Sequence, residues 1–408
     1  MSVPALRFRN DDGLDFPDWE EATLGEVCDI KRGASPRPIA DKKWFSHDST
    51  IGWVRISDVS KSSKYLTKTE QYLSEAGIKK SRLVKKGNII MSICATIGKP
   101  IYTNFDVCIH DGFVVFENLQ IDHEYLYYYL MLIEKNWYQY GQPGSQVNLN
   151  SDIVSNETIP IPDIKEQTKI ANFLTAVDEK ITQLTQKHAL LTQYRKGVMQ
   201  QIFSQELRFK DDDGEDFPEW KVKKLGDIAD LTSSKRVYLS DYVKEGIPFY
   251  RGKEISELKR NEKPKDILYI TRKAYEGFKA SFGVPKVNDI LITAVGTLGN
   301  VYRVKDNSEF YFKDGNLIWL RDIKISSAFL EILFATNNEA VQKSSIGSSQ
   351  RALTIIELKK LKFNVPSLAE QTKIANFLTV IDDKITNTQT QLKAMKQYKQ
   401  GLLQQMFV

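Results

Sequence analysis

The chain has 408 residues, 41% hydrophobic and 27% charged, with 57 Lys and Arg against 52 Asp and Glu for a net charge of +5. That length supports two or three domains, each able to bury its own core, and the composition excludes a disordered chain. Three cysteines (Cys28, Cys94, Cys108) without CxxC spacing argue against a disulfide framework or a zinc site and fit a reducing cytoplasm; no apolar run nears the roughly 20 residues of a membrane span, and MSVPALRFRNDD lacks a signal-peptide core.

The chain opens with a short arm, 1–20, reading LRFRNDDGLDFPDW from Leu6. A mixed segment, 21–160, follows. Asn88 to Met91 ahead of Thr96-Ile97-Gly98 reads as a strand and turn. Val107 to Phe116 reads as a hairpin about Asp111-Gly112, and Ile121 to Trp137 as a helix. A long amphipathic stretch occupies 161–205. Its seam runs through Leu174, Val177, Ile181, Leu184, Leu191, Val198 and Ile202, interrupted by His188 and Arg195. Alternating spacings of 3 and 4 make a heptad pattern, which predicts a helix whose stripe packs on another helix. About 38 residues give roughly 57 Å of helix. Pro162 stands just ahead, before a helix can begin.

The same order then restarts. A second arm, 206–220, reads LRFKDDDGEDFPEW from Leu207. In the second mixed segment, 221–364, Asp289 to Ile292 precedes Thr297-Leu298-Gly299, Phe310 to Leu320 brackets Asp314-Gly315, and Ser327 to Val341 reads as a helix. After Pro366 comes a second long stretch, 365–408, with a seam of Leu378, Ile381, Ile385, Leu392, Met395, Leu402 and Met406, interrupted by Thr388 and Lys399 at places that read as matching His188 and Arg195. The string EQTKIANFLT begins at Glu166 and again at Glu370, a spacing of 370−166=204. Two tandem copies of one unit therefore make up the chain, and they offer the same face to two partners or two sites. The fold class expected is two α/β or α+β globular domains with a long antiparallel two-helix coiled coil, pseudo-two-fold and circularly arranged. Polar seam residues fix such a pairing's register. The first stretch runs into the second arm through QQIFSQELRF, while the chain ends QQMFV and begins near PALRF. Joining Phe407 to Leu6 would recreate the central junction, so the termini are expected to lie close together.

Catalytic strings are missing. There is no GxGxxG, no GxxxxGK(S/T), and no Asn-Pro-Pro-aromatic or Asp-Pro-Pro-aromatic methyltransferase string. The histidines at 47, 110, 123 and 188 have no metal spacing. Asp163, Glu166 and Lys169 faintly suggest a nuclease, but capping of the long helix is the better reading. Charge is informative instead. Residues 31–99 hold 15 Lys and Arg against 5 Asp and Glu, and residues 221–286 hold 16 against 9. Basic clusters with interleaved aromatic and small polar residues suit phosphate and base-edge contacts; the plain alternative is a solvated basic surface. The candidate DNA-binding residues are Lys31, Arg32, Arg37, Arg55, Ser57 and Lys99 in the first copy, and Lys235, Arg236, Tyr250, Arg251 and Lys253 in the second. Two matched strings, GQPGSQVNL and IGSSQRALT, add Ser145 and Gln146, and Ser348, Gln350 and Arg351. Gln makes bidentate contacts to adenine, although a structural turn explains these strings equally well.

Two variable domains, each followed by a long helix headed by Pro…EQ…I…FL, resemble the specificity (S) subunit of type I restriction–modification enzymes over the whole chain. The resemblance implies two target recognition domains, each reading half of a bipartite DNA sequence. It also implies a non-catalytic role: two modification (M) subunits carry S-adenosylmethionine and methylate adenine, restriction (R) subunits join through them, and this chain itself holds no cofactor, with ATP and Mg also on partners. The partner-binding candidates are Phe8, Trp19, Gln167, Lys169, Asn172 and Phe173, with their mates Phe209, Trp220, Gln371, Lys373, Asn376 and Phe377; Phe173 and Phe377 could instead pack the seam. Competing readings are a stand-alone two-headed DNA-binding protein, a self-contained methyltransferase or nuclease, and a scaffold without DNA.

Overall fold

The computed structural model describes residues 4–140, 149–347 and 351–407. The chain divides into two compact units. One is Met1–Lys187 with Thr388–Val408, the other His188–Asn387.

In the first unit, Asp29–Arg32, Phe113–Glu117, Ile89–Ser92, Pro100–Thr103 and Tyr65–Leu66 form one sheet in that spatial order. A second sheet has the order Gln71–Tyr72, Gly52–Val54, Val107–Ile109, Arg82–Val84. Ile89–Ser92 and Phe113–Glu117 are buried almost end to end. Strands covered on both faces need continuous apolar runs rather than alternation, and IIMS and FVVF supply them. Val107–Ile109 and Phe113–Glu117 lie in different sheets, so the expected Asp111-Gly112 hairpin is instead a corner between sheets. The second unit does the same: Tyr311–Phe312 pairs with Ile247–Tyr250, while Leu317–Arg321 pairs with Ile290–Thr293. A DG turn sets the local reversal, but burial of both flanking runs sends each to its own sheet. Gly33 belongs to this corner, since a Cβ there would stand 2.1 Å from the His110 carbonyl oxygen. Gly98 serves the turn after Ile89–Ser92. Its φ is +81°, and a Cβ would stand 2.2 Å from Trp137.

The long stretches form helices Ile164–Phe203 and Leu368–Phe407. Within the first unit, Ile170, Leu174 and Val177 at the start of one share a core with Leu402, Leu403 and Met406 at the end of the other. Within the second, Ile374, Leu378 and Ile381 pack with Val198 and Ile202. Start against end is antiparallel pairing. The polar seam positions refine the sequence reading. At the 204-residue offset Arg195 matches Lys399, but Thr388 matches Leu184 and His188 matches Leu392. Lys399 pairs with Asp178 at 2.7 Å. Its repeat mate Arg195 pairs with Asp382 through two guanidinium nitrogens, Nε and Nη2, the latter at 2.9 Å. The seam cation therefore meets the same helical aspartate in each unit.

The arms are clasped onto the helix starts. Arg7 donates to the buried Glu166 carboxylate at 2.8 and 3.1 Å, and Trp19 Nε1 donates to it at 3.0 Å. In the second unit Arg208 and Trp220 hold Glu370 the same way, both at 3.1 Å. The junction expectation reduces to one hydrogen bond. Leu207 N–H donates to Gln201 O at 3.0 Å in the central junction, and Leu6 N–H donates to Gln405 O at 2.9 Å where the chain's two ends meet. Gln201 and Gln405 are repeat mates.

Candidate nucleic-acid interface

The strand Asp29–Arg32 sends alternate side chains to opposite faces, which separates the basic pair read from the sequence. Lys31 turns to Glu117 at 2.8 Å. Arg32 instead faces the sheet corner, where its Nε donates to the Asp111 carbonyl at 2.7 Å. Ser35 Oγ and Arg37 Nη2 donate to the two Asp111 carboxylate oxygens at 2.6 and 3.1 Å. The Ser35 hydrogen bond, helped by Arg37, holds that carboxyl below its ordinary range. Arg37 stays exposed. Asp111 thus organises a basic rim of Arg32 and Arg37, a role the sequence reading assigned only to a turn. Arg82, also missed, closes the rim through the Arg32 carbonyl at 2.5 Å.

The second basic loop is tied to a short helix, Ile56–Lys61. Arg55 precedes it and donates twice to Gln71 Oε1, at 2.8 and 3.0 Å. Buried Asp58 accepts the Arg55 N–H at 2.8 Å, and Ser57 beside it is exposed. Lys99 is placed otherwise than expected. Its ammonium donates to the carbonyls of Val59 and Ser62 at 2.8 and 2.9 Å, and burial lowers its pKa. It completes that helix's C-terminal end rather than projecting to a ligand.

In the second unit Arg251 and Gly252–Lys259 repeat the device. Arg251 reaches the fully buried Glu254 carboxylate at 2.6 Å and the Asp266 carbonyl at 3.0 Å. Lys253 pairs with Asp266 at 2.6 Å. Tyr250 stacks on Phe310 at 4.9 Å and is half-buried. Lys235 and Arg236 are exposed, Lys235 over the Phe282 ring at 4.4 Å and Arg236 over Tyr238 at 5.9 Å. Tyr238 and Leu239, 63% and 89% exposed, extend this rim; an aromatic followed by an aliphatic in a polar loop was the signal for them. Arg351 folds back to Ser345 Oγ at 2.8 Å. Ser145, Gln146, Ser348 and Gln350 lie outside the described residues.

The repeated helix strings prove to be mostly internal. Gln167 is buried, accepting the Asp122 N–H and donating to the Pro162 carbonyl, both at 2.8 Å. Gln371 does the same with Ser326 and Pro366, at 2.8 and 2.9 Å. These two are corrected from partner-facing residues to joints between globular domain and helix, because a buried amide needs both ends hydrogen-bonded. Lys169 and Lys373 hold their own arms through Asp11 and Asp212, at 2.6 and 2.7 Å. Phe8 meets Phe173 edge-on at 5.7 Å, and Phe209 meets Phe377 at 5.5 Å. Trp19 and Trp220 belong to the clasps. Asn172 and Asn376 remain exposed. So do Tyr194 and Tyr398, repeat mates that the sequence reading passed over. Asp163 caps the Lys165 N–H at 2.8 Å, as the capping reading holds. Among the described residues no group of three or more His, Cys, Asp or Glu is placed to hold a metal, and no helix is long and apolar enough to cross a membrane.

The family described as type I restriction modification DNA specificity domain matches residues 17–193 and again 218–397. The chain belongs to this family. Its relatives include the type I restriction enzyme MjaVIII specificity subunit of Methanocaldococcus jannaschii, 23% identical over 97% of this chain and 94% of that protein. The EcoprrI specificity subunit of Escherichia coli is 23% identical over 94% of this chain and 92% of its own length. The crystal structure of a type I restriction-modification S subunit from M. genitalium shares the fold, with a TM-score of 0.61 and 16% identity over 100% of this chain and 99% of that one. A specificity-domain protein selects DNA sequence within type I restriction–modification, and the two matched segments are its two recognition domains with their helices.

Proposed function

We propose that this specificity protein reads an asymmetric bipartite DNA target, one half-site per recognition domain, and carries two copies of a modification subunit, through which restriction subunits join. One observation carries the reading. The joints recur at matching positions in the two units (Arg–Glu–Trp clasp, Gln bridge, Asp–cation pair), whereas the basic rims differ. Matching frames suit two copies of one partner, and differing rims suit two different half-sites. The DNA side is the exposed set around Arg37 and Ser57 in one unit and Lys235, Arg236 and Lys253 in the other. Such cations bind phosphates with strong salt dependence. The partner side is formed by residues that are identical in both copies and exposed: Asn172 with Asn376, Tyr194 with Tyr398, Gln200 with Gln404. Exposed aromatics are frequent anchors of protein interfaces. This chain performs no chemistry itself; S-adenosylmethionine, ATP and Mg act on the partner subunits. The helices set an unread gap between half-sites. Native mass spectrometry of the chain co-purified with its modification subunit tests the scaffold. Two modification subunits per chain are expected for the wild type and one for Tyr194→Ala. A lone chain that binds DNA without any modification subunit would instead mark a stand-alone DNA-binding protein.

A further inference from the structure

The first unit contains a cavity of about 660 Å³ where its recognition domain meets the helix pair, within the size range of small-molecule sites. Its wall is aromatic and already holds an ammonium group. Lys64 Nζ lies 4.9 and 5.1 Å from the ring centroids of Tyr128 and Tyr127. Tyr65 stacks on Tyr102 with one face and is 46% exposed. The lysines here are already engaged: Lys64 by Glu124 at 2.5 Å, Lys399 by Asp178 at 2.7 Å, and Lys99 by backbone carbonyls. Glu134 differs. It lines the cavity half-buried and accepts no hydrogen bond among the described residues. Burial holds its carboxyl above the usual range, against the nearby Lys99 and Lys135. With Glu124 behind Lys64 included, four carboxylates (Glu124, Glu134, Asp178, Glu179) face three lysines (Lys64, Lys99, Lys399).

We propose that this cavity binds a small planar organic cation, such as an aryl amidine, an aryl guanidine or a protonated amino-heterocycle, with its ring against Tyr65 and Tyr127 and its N–H groups on Glu134. A charge-assisted, bidentate N–H contact would satisfy the carboxylate, and the tyrosine faces favour positive charge. The second unit supplies an internal comparison. A cavity of about 500 Å³ is walled there by the same helical stretch, from Thr379 to Thr386. At the repeat offset Tyr127 becomes Glu331 and Glu134 becomes Asn338. Lys259, Arg303 and Lys305 line it. No tyrosine lines that cavity, where Phe334 is the one aromatic, and Asp383 in its wall is exposed rather than half-buried, so one site per chain is expected.

Benzamidine titrated into the full chain by calorimetry is the test, with neutral benzamide as the isosteric control. The expected result is saturable binding at one site, at least tenfold weaker for benzamide and for Glu134→Gln, weakened by Tyr65→Ala, and unchanged by Asn338→Ala. Circular dichroism melting shows that each variant is folded. No saturable benzamidine binding, equal binding of benzamide, or undiminished binding by a folded Glu134→Gln variant would each overturn the proposal.

Discussion

Glu166 and Glu370 are buried carboxylates, and each organises an arm, a tryptophan and a helix start. Breaking a buried ion pair leaves the remaining charge without its partner, at about 3–5 kcal/mol for full removal. Glu166→Gln keeps the shape and removes the charge, so a loss of about 2–3 kcal/mol is expected from urea unfolding of the full chain. Glu179→Gln, exposed on the same helix, should change stability by less than about 0.5 kcal/mol. At this scale the sequence was only partly legible. The repeated Glu, Gln and Lys of EQTKIANFLT stood out, but identity between copies does not distinguish an outward contact from an internal joint. Gln167 and Gln371 turned out to be joints because the domain's own backbone, at Asp122 and Ser326, offers them N–H groups. Lys99 was misplaced for a similar reason, since the carbonyls that engage it come from a segment some 40 residues away in sequence.

Among the elements, the long helices were the most legible, because a heptad pattern sustained over about 40 residues marks a helix, and its match in length and phase between copies favours pairing over two independent surface helices. The short strands were less so. Two-sided burial erased the alternation that marks a strand, and it turned two expected hairpins into corners between sheets. The pairing of the helices rests on apolar seams plus one ion pair in each unit. Lys399 and Asp178 are each mostly buried, and burial lowers the lysine pKa. Asp178→Lys should therefore place two cations in one seam and cost about 3 kcal/mol or more, while Asp178→Lys with Lys399→Asp should recover most of the loss. Thermal unfolding of the four members of this cycle gives the coupling. Equal midpoints for the single and double variants would show that the pair fixes nothing.

For the molecule as a whole, the circular order of the chain has a direct consequence. The bond from Leu6 to Gln405 repeats the bond from Leu207 to Gln201, so the two junctions share this hydrogen bond. A variant with its old termini joined and new termini opened between Ser204 and Gln205 should fold with a melting midpoint within a few degrees of the parent, since termini at an equivalent surface junction are tolerated. This order was visible in the sequence from QQIFSQELRF set beside QQMFV and PALRF. The recognised bases were not, because base contacts depend on loop conformations that pattern and composition do not fix. The most direct test of the account is to co-express the chain with the modification subunit of its system and map methylated adenines across a genome by single-molecule sequencing. The account predicts one motif with two different half-sites separated by a fixed unread gap. A continuous motif, a palindromic pair of identical halves, or no methylation despite an assembled complex would contradict it.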